Sequence, residues 1–304
     1  MKLMNRYYRF IVHLVAAIVI FLYYSQAAFA SSTSIFFDLG IANVNRGDYQ
    51  EALINFTEAI EKKNNFGAAY SNRCLVYLQL EKYQNAVNDC TKAINLSPNN
   101  TEAYLNRGLA YFRLGNYQAS INDNNQVIIL NPRDFRPRYN RGISYASLGK
   151  NQEAIKDYNF ALSEIPSTNS ISLGEIYNDR GLAFLESHDI QAAKQDFSLA
   201  IRLNQANYRP YFNRGCAIAL SGDYKNAVRD FGQVILLNPN HAQAYLNRGV
   251  AYHRLGYQQA AIADLQMAAK HFEEQGQIIA RGKALEIIKL VQQKILTNSV
   301  IALR

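Results

Sequence analysis

Apolar and polar residues follow each other along this chain with the spacing of amphipathic helices, and the pattern recurs at long range. Residues 103–123, AYLNRGLAYFRLGNYQASIND, return as residues 244–264, AYLNRGVAYHRLGYQQAAIAD, with 15 of 21 positions identical. Aligning the chain on these segments gives a period of 34 residues and seven repeats, which begin at Thr33, Gly67, Thr101, Phe135, Gly174, Tyr208 and Ala242. Five extra residues, 169–173, precede the fifth repeat and predict a Ser-rich loop. Such self-similarity is typical of a repeat array.

Each repeat predicts two helices that share one apolar core. Positions 4, 8 and 11 of the repeat, and positions 20, 24 and 27, have the i, i+4, i+7 spacing of an apolar stripe on one helix face. Position 8 is small throughout, with Gly40, Cys74, Gly108, Gly142, Gly181, Gly215 and Gly249. Position 20 holds alanine or serine, and four prolines at position 32 end the second helix. Residues 276–296 predict a final amphipathic helix that covers the last apolar face.

This pattern resembles the tetratricopeptide repeat (TPR) family, in which each unit of 34 residues is a helix-turn-helix hairpin. The resemblance covers residues 33 to 275, and strings such as YxNRGxAYxxLG resemble TPR proteins of bacteria, cyanobacteria among them. It implies an all-α fold, a right-handed superhelical solenoid of seven TPR units with a C-terminal capping helix at 276–296 and a tail at 297–304. The seven units are 33–66, 67–100, 101–134, 135–168, 174–207, 208–241 and 242–275.

Two charged positions recur together in the repeats. Position 7 is arginine in repeats two to seven, namely Arg73, Arg107, Arg141, Arg180, Arg214 and Arg248. Position 23 is aspartate in the same repeats, namely Asp89, Asp123, Asp157, Asp196, Asp230 and Asp264. Repeat one has Leu39 and Asn55 there, so both charges are missing together. The two positions flank their apolar stripes on adjacent sides of an antiparallel hairpin, which predicts a structural ion pair in each of the six repeats. Six independent solvated charges are the alternative.

Position 6 predicts a row of side-chain amides facing away from the packed stripe. It holds Asn72, Asn106, Asn140, Asp179, Asn213 and Asn247, and it shares its face with positions 2, 9 and 13. Amides donate and accept, so such a row suits the backbone of an extended peptide. It resembles the asparagine ladders of other TPR superhelices that hold extended polypeptides. The alternative is that these amides cap or bridge neighbouring helices. The same groove is expected to include Tyr139 and Phe212 at position 5, with Arg113, Arg136, Arg209 and Arg254 at positions 2 and 13.

The first thirty residues have the composition of a segment for export. Lys2, Arg6 and Arg9 precede an apolar run at 10–24, and Ala-Phe-Ala follows at 28–30. These are the three parts of a secretory signal peptide, and an uncleaved membrane anchor is the alternative. Either reading places the repeats outside the cytoplasm, in a periplasm, a lumen or the extracellular space.

Three cysteines in an exported protein are an odd number and no disulfide framework. Cys74 and Cys90 occupy positions 8 and 24 of repeat two and are expected to be small core residues, with a disulfide between them as the alternative. Cys216, at position 9 of repeat six, is expected to face the groove.

Composition narrows the function classes. The net charge is +8, of which three charges lie in residues 1–30. The remaining +5 is spread without a basic stripe, which argues against nucleic-acid binding. The five histidines are scattered, and no phosphate loop or metal-binding motif occurs. Once signal, repeats and cap are assigned, no room is left for a catalytic domain.

We therefore expect a non-enzymatic scaffold or adaptor without a cofactor, whose partner is another protein or a peptide segment held in the concave groove. Its expected task is assembly of an envelope or membrane complex. A membrane-anchored subunit that binds through its convex face or its ends is one rival. A catalytic or enzyme-associated subunit is a second rival, with Glu175, Asp179 and Glu186 as its candidate acids.

Overall fold

The computed structural model describes residues 33–302, with side chains through residue 293. Within this range the chain forms fifteen helices and no strand. Helix α1 occupies residues 33–46. The others are α2 (Tyr49–Lys62), α3 (Gly67–Gln79), α4 (Tyr83–Leu96), α5 (Thr101–Arg113), α6 (Tyr117–Leu130), α7 (Phe135–Ser147), α8 (Asn151–Glu164), α9 (Ser170–Glu186), α10 (Ile190–Leu203), α11 (Tyr208–Leu220), α12 (Tyr224–Leu237), α13 (Ala242–Arg254), α14 (Gln258–Glu274) and α15 (Ile278–Ala302). The expected signal segment 1–30 lies outside the described residues.

The chain divides into two compact parts, one through Ser144 and one from Tyr145. In the N-terminal part, α3 and α4 form one hairpin and α5 and α6 the next, while α4 packs on α5 and α3 contacts α5. In the C-terminal part, α9–α10, α11–α12 and α13–α14 are hairpins joined by α10–α11 and α12–α13 contacts. The fold is therefore an all-α TPR solenoid, as the 34-residue period predicts.

Two predicted boundaries are wrong. The expected Ser-rich loop at 169–173 is almost entirely helical, because α9 begins at Ser170 and Asn169 caps it by accepting a hydrogen bond from the backbone N–H of Ser172 at 3.2 Å. Helix α15 continues to Ala302, past the predicted end at residue 296. None of the helices within residues 33–302 has both the length and the apolar character needed to cross a bilayer.

Contact between positions 8 and 24 brings the two helices of a hairpin together. A Cβ atom added to Gly181 would lie 2.7 Å from the ring of Phe197, and one added to Gly215 would lie 2.8 Å from the ring of Phe231. Both phenylalanines are buried. Because no real Cβ contact is that short, a side chain at position 8 would force the hairpin apart, which explains the small residue there.

Repeat two fills the same space with a disulfide between Cys74 and Cys90, whose Cα atoms lie 5.4 Å apart. Both residues are fully buried, as expected, but they are oxidised rather than free thiols. Two short side chains joined by a bond occupy the room that glycine and phenylalanine take in repeats five and six. The bond also closes a loop of 16 residues, for which chain entropy gives a stabilisation of about 3 kcal/mol.

A bidentate ion pair joins the two helices of five repeats. The pairs are Arg73–Asp89, Arg107–Asp123, Arg180–Asp196, Arg214–Asp230 and Arg248–Asp264, with closest nitrogen–oxygen distances of 2.6–2.8 Å. In each pair Nε and Nη2 of the arginine donate to the two carboxylate oxygens. In repeat four the aspartate, Asp157, is buried, and its pairing with Arg141 stays a prediction.

The same arginine also reaches the preceding repeat, a contact that we did not predict. Its Nη1 donates to a hydroxyl or amide oxygen at position 25, over 2.6–3.0 Å, in the pairs Arg73–Thr57, Arg107–Thr91, Arg141–Asn125, Arg180–Asn159 and Arg214–Ser198. The guanidinium carbon lies 5.4–5.9 Å from the tyrosine ring at position 4, in the pairs Arg73–Tyr70, Arg107–Tyr104, Arg180–Tyr177, Arg214–Tyr211 and Arg248–Tyr245. We call this three-way contact the arginine clamp.

Burial and pairing shift the titration of the arginine clamp. The hydrogen bond that Arg107 donates to Asp123 raises the pKa of Arg107, and desolvation opposes this shift. Burial raises the pKa of the Asp123 carboxyl, while Arg107 lowers it. Removing one partner of such a pair leaves a buried charge and costs about 3–5 kcal/mol.

The clamp of repeat seven lacks its third contact, because position 25 of repeat six is Gly232. A Cβ atom there would lie 3.7 Å from Nη1 of Arg248, an ordinary contact. We expect Gly232→Ser to supply the missing oxygen and to stabilise the protein by about 1 kcal/mol. Urea unfolding should compare it with Gly232→Ala. Serine has a helix propensity about 0.5 kcal/mol below that of alanine, so a serine variant as stable as the alanine variant reveals the new bond. If the serine variant is less stable than the alanine variant by the full difference in helix propensity, the serine hydroxyl forms no bond with Arg248.

The disulfide generates a second prediction. Replacing Cys74→Gly and Cys90→Phe together reproduces the packing of repeats five and six, so this variant should fold in the presence of dithiothreitol. Wild type should lose about 2–4 kcal/mol on reduction, and the double variant should lose nothing. Thermal unfolding with and without reductant measures both. Equal losses would show that the bond between Cys74 and Cys90 does not support the hairpin.

Candidate functional site

Two neighbouring cavities open in the C-terminal part. The smaller, of about 360 Å³, is lined by Cys216, Ala219, Leu220, Tyr224, Phe231, Leu246, Asn247, Val250 and Ala251. The larger, of about 750 Å³, is lined by Gln243, Leu246, Gly276, Gln277, Ile278, Ile279, Ala280 and Lys283. Leu246 lines both, so the two cavities adjoin across α13. Their walls are largely apolar, with a few amides and one lysine.

Five of the eight lining residues of α11 and α13 stand at positions 2, 6, 9 or 13 of the repeat. Gln243 stands at position 2, Leu246 at position 5, Asn247 at position 6, Val250 at position 9 and Leu220 at position 13. Four of these, positions 2, 6, 9 and 13, are those that the sequence placed on one face, and the structure brings them together here. We call this surface of α11, α13 and the start of α15 the cavity face.

Amides at position 6 in the C-terminal part are engaged by neighbouring helices. Asn213 Nδ2 donates to Asn178 Oδ1 at 2.8 Å, which joins α11 to α9. Asn178 Nδ2 in turn donates to Asp179 Oδ1 at 3.1 Å. Asn247 Nδ2 lies 3.4 Å from Cys216 Sγ, which joins α13 to α11. For Asn213 and Asn247 the geometry is that of a bridge between helices, although Asn247 also lines the smaller cavity.

Asn178 is a buried polar residue that the sequence reasoning missed. It stands at position 5, where every large side chain in the other repeats is apolar or aromatic. The next residue, at position 6, is the one acid found at that position in repeats two to seven. The combination of an amide at position 5 and an acid at position 6, found in this repeat alone, could have indicated a polar contact here.

The amides of the N-terminal part are differently placed. Asn72 Nδ2 donates to the carbonyl of Ala68 at 2.9 Å, inside its own helix. The side chains of Asn106 and Asn140 are half-buried and make no hydrogen bond with the residues described by the structure. These two amides therefore have free donors and acceptors.

The predicted groove cations fall into two groups. Arg136 is neutralised by two acids, with Nη2 2.7 Å from Glu102 Oε1 and 2.7 Å from Asp134 Oδ2, and these hydrogen bonds raise its pKa. Arg136 is therefore engaged by two acids of its own chain, and its expected place in the peptide-binding groove stays a prediction. Arg113, Arg209 and Arg254 are exposed and take part in no ion pair among residues 33–293.

The aromatic residues expected to form pockets are partly packed away. The Phe212 ring lies 6.0 Å from that of Phe231 and 4.9 Å from that of His241, so it is part of the hairpin interface. Tyr139 is half-buried on α7. At position 5 it is Leu246, rather than Phe212, that lines the cavities.

Catalytic groups do not gather at the cavities. Burial raises the pKa of the Cys216 thiol to about 11, against a hydrogen bond from Asn247, so the thiol stays protonated and is a poor nucleophile at neutral pH. Glu175, Asp179 and Glu186 line neither cavity. Within the described part of the chain, no group of His, Cys, Asp and Glu side chains could hold a metal ion.

Comparison with known proteins agrees with this architecture. A family model described as TPR repeat matches residues 74–115 and 217–256, and models described as tetratricopeptide repeat match residues 101–134 and 135–168. The chain is a TPR protein. The TPR family is in general a non-enzymatic module for protein–protein interaction. No curated protein matches the chain.

Solved structures share the fold. A tetratricopeptide repeat protein from Parabacteroides merdae is similar with a TM-score of 0.62 at 20% identity, over 86% of this chain and 99% of that chain. YrrB, a TPR protein with an unusual peptide-binding site, is similar with a TM-score of 0.52 at 20% identity, over 65% of this chain and 97% of that chain. Pseudomonas aeruginosa PilF is similar with a TM-score of 0.59 at 16% identity, over 70% of this chain and 94% of that chain.

A histidine caps the helix that carries the cavity face of this TPR protein. His241 Nδ1 accepts a hydrogen bond from the backbone N–H of Ala244 at 3.1 Å, at the start of α13. Its ring lies 5.3 Å from that of Tyr208 and 4.9 Å from that of Phe212. Burial lowers the pKa of His241, because desolvation disfavours the charged imidazolium, and a hydrogen bond with its own backbone only partly opposes this shift.

This cap predicts a pH dependence of stability. The folded-state pKa lies below the unfolded value of about 6.5, so the contribution is complete above pH 6.5 and is lost as pH falls through the folded pKa. His241→Asn keeps an N-cap acceptor without the titration. Urea midpoints between pH 7.5 and pH 5 should therefore fall less for the variant than for wild type. Parallel pH curves would mean that His241 does not contribute.

Proposed function

We propose that this TPR protein is a non-enzymatic scaffold that binds an extended polypeptide along its cavity face. The observation that carries the proposal is the placement of two adjoining apolar cavities on the first helices of successive hairpins, with amides beside them. Apolar hollows of this size accept side chains, and amides at their rims accept or donate to a peptide backbone. YrrB, described as having a peptide-binding site, supports this use of the fold.

The partner meets the protein in an exported compartment, in the periplasm, a lumen or the extracellular space, and the task is assembly of an envelope or membrane complex. Two observations of different kinds support this setting. Residues 1–30 have the composition of a signal peptide or an anchor. The buried disulfide between Cys74 and Cys90 belongs to an oxidising environment, because cytosolic thiols are kept reduced.

The cavity face is tested with two matched leucines. Leu220 is 68% exposed and lines the smaller cavity, whereas Leu236 is 72% exposed on α12 and lines neither cavity. We expect Leu220→Gln to weaken partner binding about fivefold, for a loss of about 1 kcal/mol of apolar contact, and Leu236→Gln to leave it unchanged. The full chain and both variants serve as baits for exported and envelope fractions, and titration of the captured polypeptide gives Kd. Equal retention by the two variants would place the interface elsewhere.

A further inference from the structure

The cavity face carries an excess of cations. Helices α11 and α13 contain no aspartate or glutamate. Their clamp arginines, Arg214 and Arg248, are neutralised by Asp230 and Asp264. The arginines that remain, Arg209 and Arg254, are exposed and form no ion pair with any residue of the described range.

The start of α15 extends this excess. Arg281 is paired with Glu273 at 3.4 Å. Lys283 is exposed, lines the larger cavity and has no acidic partner among the described side chains. The one acid of α15 is Glu286, whereas the helix contains three lysines, Lys283, Lys289 and Lys294, besides the paired Arg281. The larger cavity therefore has an apolar floor and a cationic edge.

Repeat register places the two arginines on the same surface as the cavities. Arg209 stands at position 2, like Gln243, which lines the larger cavity. Arg254 stands at position 13, like Leu220, which lines the smaller cavity. Arg209 and Arg254 thus share the repeat positions of cavity-lining residues, and Lys283 itself lines the larger cavity, so the three cations come from three different helices.

Helix α9 carries the opposite charge at the same positions. Glu175 stands at position 2 and Glu186 at position 13, with Asp179 at position 6. Both glutamates are exposed. Along the first helices of the C-terminal part, the surface therefore changes from acidic on α9 to cationic on α11, α13 and α15. An acidic ligand is repelled from α9 and attracted to the cavity face.

We propose that the occupant of the cavity face is an acidic polypeptide segment that also carries apolar side chains. At least two apolar side chains enter the two cavities, and carboxylates of the segment pair with Arg209, Arg254 and Lys283. The acidic side chains of α9 limit how far the segment extends along the first helices of the C-terminal part. This inference rests on the proposed function, because it names the class of polypeptide that the same face selects.

A random dodecapeptide library displayed on phage tests the charge class without prior choice of a ligand. Panned on the full chain at low ionic strength, the library should yield sequences enriched in Asp and Glu together with Leu, Ile or Phe. The strongest peptide is then synthesised with a fluorophore and titrated by anisotropy. Arg209→Glu with Arg254→Glu should raise its Kd at least tenfold, and added salt should weaken wild-type binding.

The matched control reverses two charges away from the cavity face. Lys225→Glu with Arg229→Glu changes the net charge by the same amount, and both residues are exposed on α12. We expect this control to change Kd less than twofold. An equal loss in both double variants would mean that net charge, rather than the placement of Arg209 and Arg254, governs binding.

The remaining outcomes separate this inference from the proposed function. Enrichment of basic or uncharged peptides that still lose affinity with Leu220→Gln would overturn the acidic class and leave the cavity face as a polypeptide site. Peptides that bind equally well to wild type, Leu220→Gln and the arginine double variant would overturn both. Absence of any enrichment would overturn the inference, and the capture experiment with native fractions would then decide the proposed function alone.

Discussion

The arginine clamp is the interaction on which the stacking of this protein depends. One guanidinium has five N–H donors in a rigid fork, and here it uses two on the aspartate of its own hairpin and another on the preceding hairpin. Repeats two, three, five and six are therefore each locked internally and to the preceding repeat by the same side chain. The tyrosine at position 4 packs beside the guanidinium and shields it from water. Lysine could provide the charge but not the fork.

The arginine clamp occupies one side of the first helix of a repeat, so the residue types on the opposite side of that helix can vary. The contacts of the arginine clamp constrain the residue types at positions 7, 23 and 25. The close approach of the two helices constrains the residue types at positions 8 and 24. Positions 2 and 13 are under neither constraint, and their chemistry varies widely from repeat to repeat, with glutamate, arginine, glutamine and serine among them. The protein separates the residues that build the array from those that give each repeat its own surface. The cavities and their cationic edge are made from the second group.

Periodicity predicted the helices and the arginine–aspartate pairs, because both recur at fixed positions and any single repeat can be checked against the others. The features that periodicity did not predict are contacts between repeats and features that occur in one repeat only. The position 25 contact was missed because Thr57, Asn125 and Ser198 differ in type and share only an oxygen acceptor. The Asn178 bridge and the helical insertion at 170–173 occur once, so no second copy pointed to them. Likewise, the pairing of Arg136 with Glu102 was not predicted, because Glu102 lies one repeat away.

Gly232 has a consequence for the energetics of the whole array. In a stack of repeats, stability is the sum of terms within repeats and coupling terms between nearest neighbours. The interface between repeats six and seven lacks the guanidinium bond that reinforces other interfaces, so its coupling term is the weaker one. Helices α11 and α13, which wall the smaller cavity, belong to the two sides of that interface. The smaller cavity thus lies at an interface that lacks this coupling bond, where the spacing of the two hairpins can change at a lower cost to the rest of the fold.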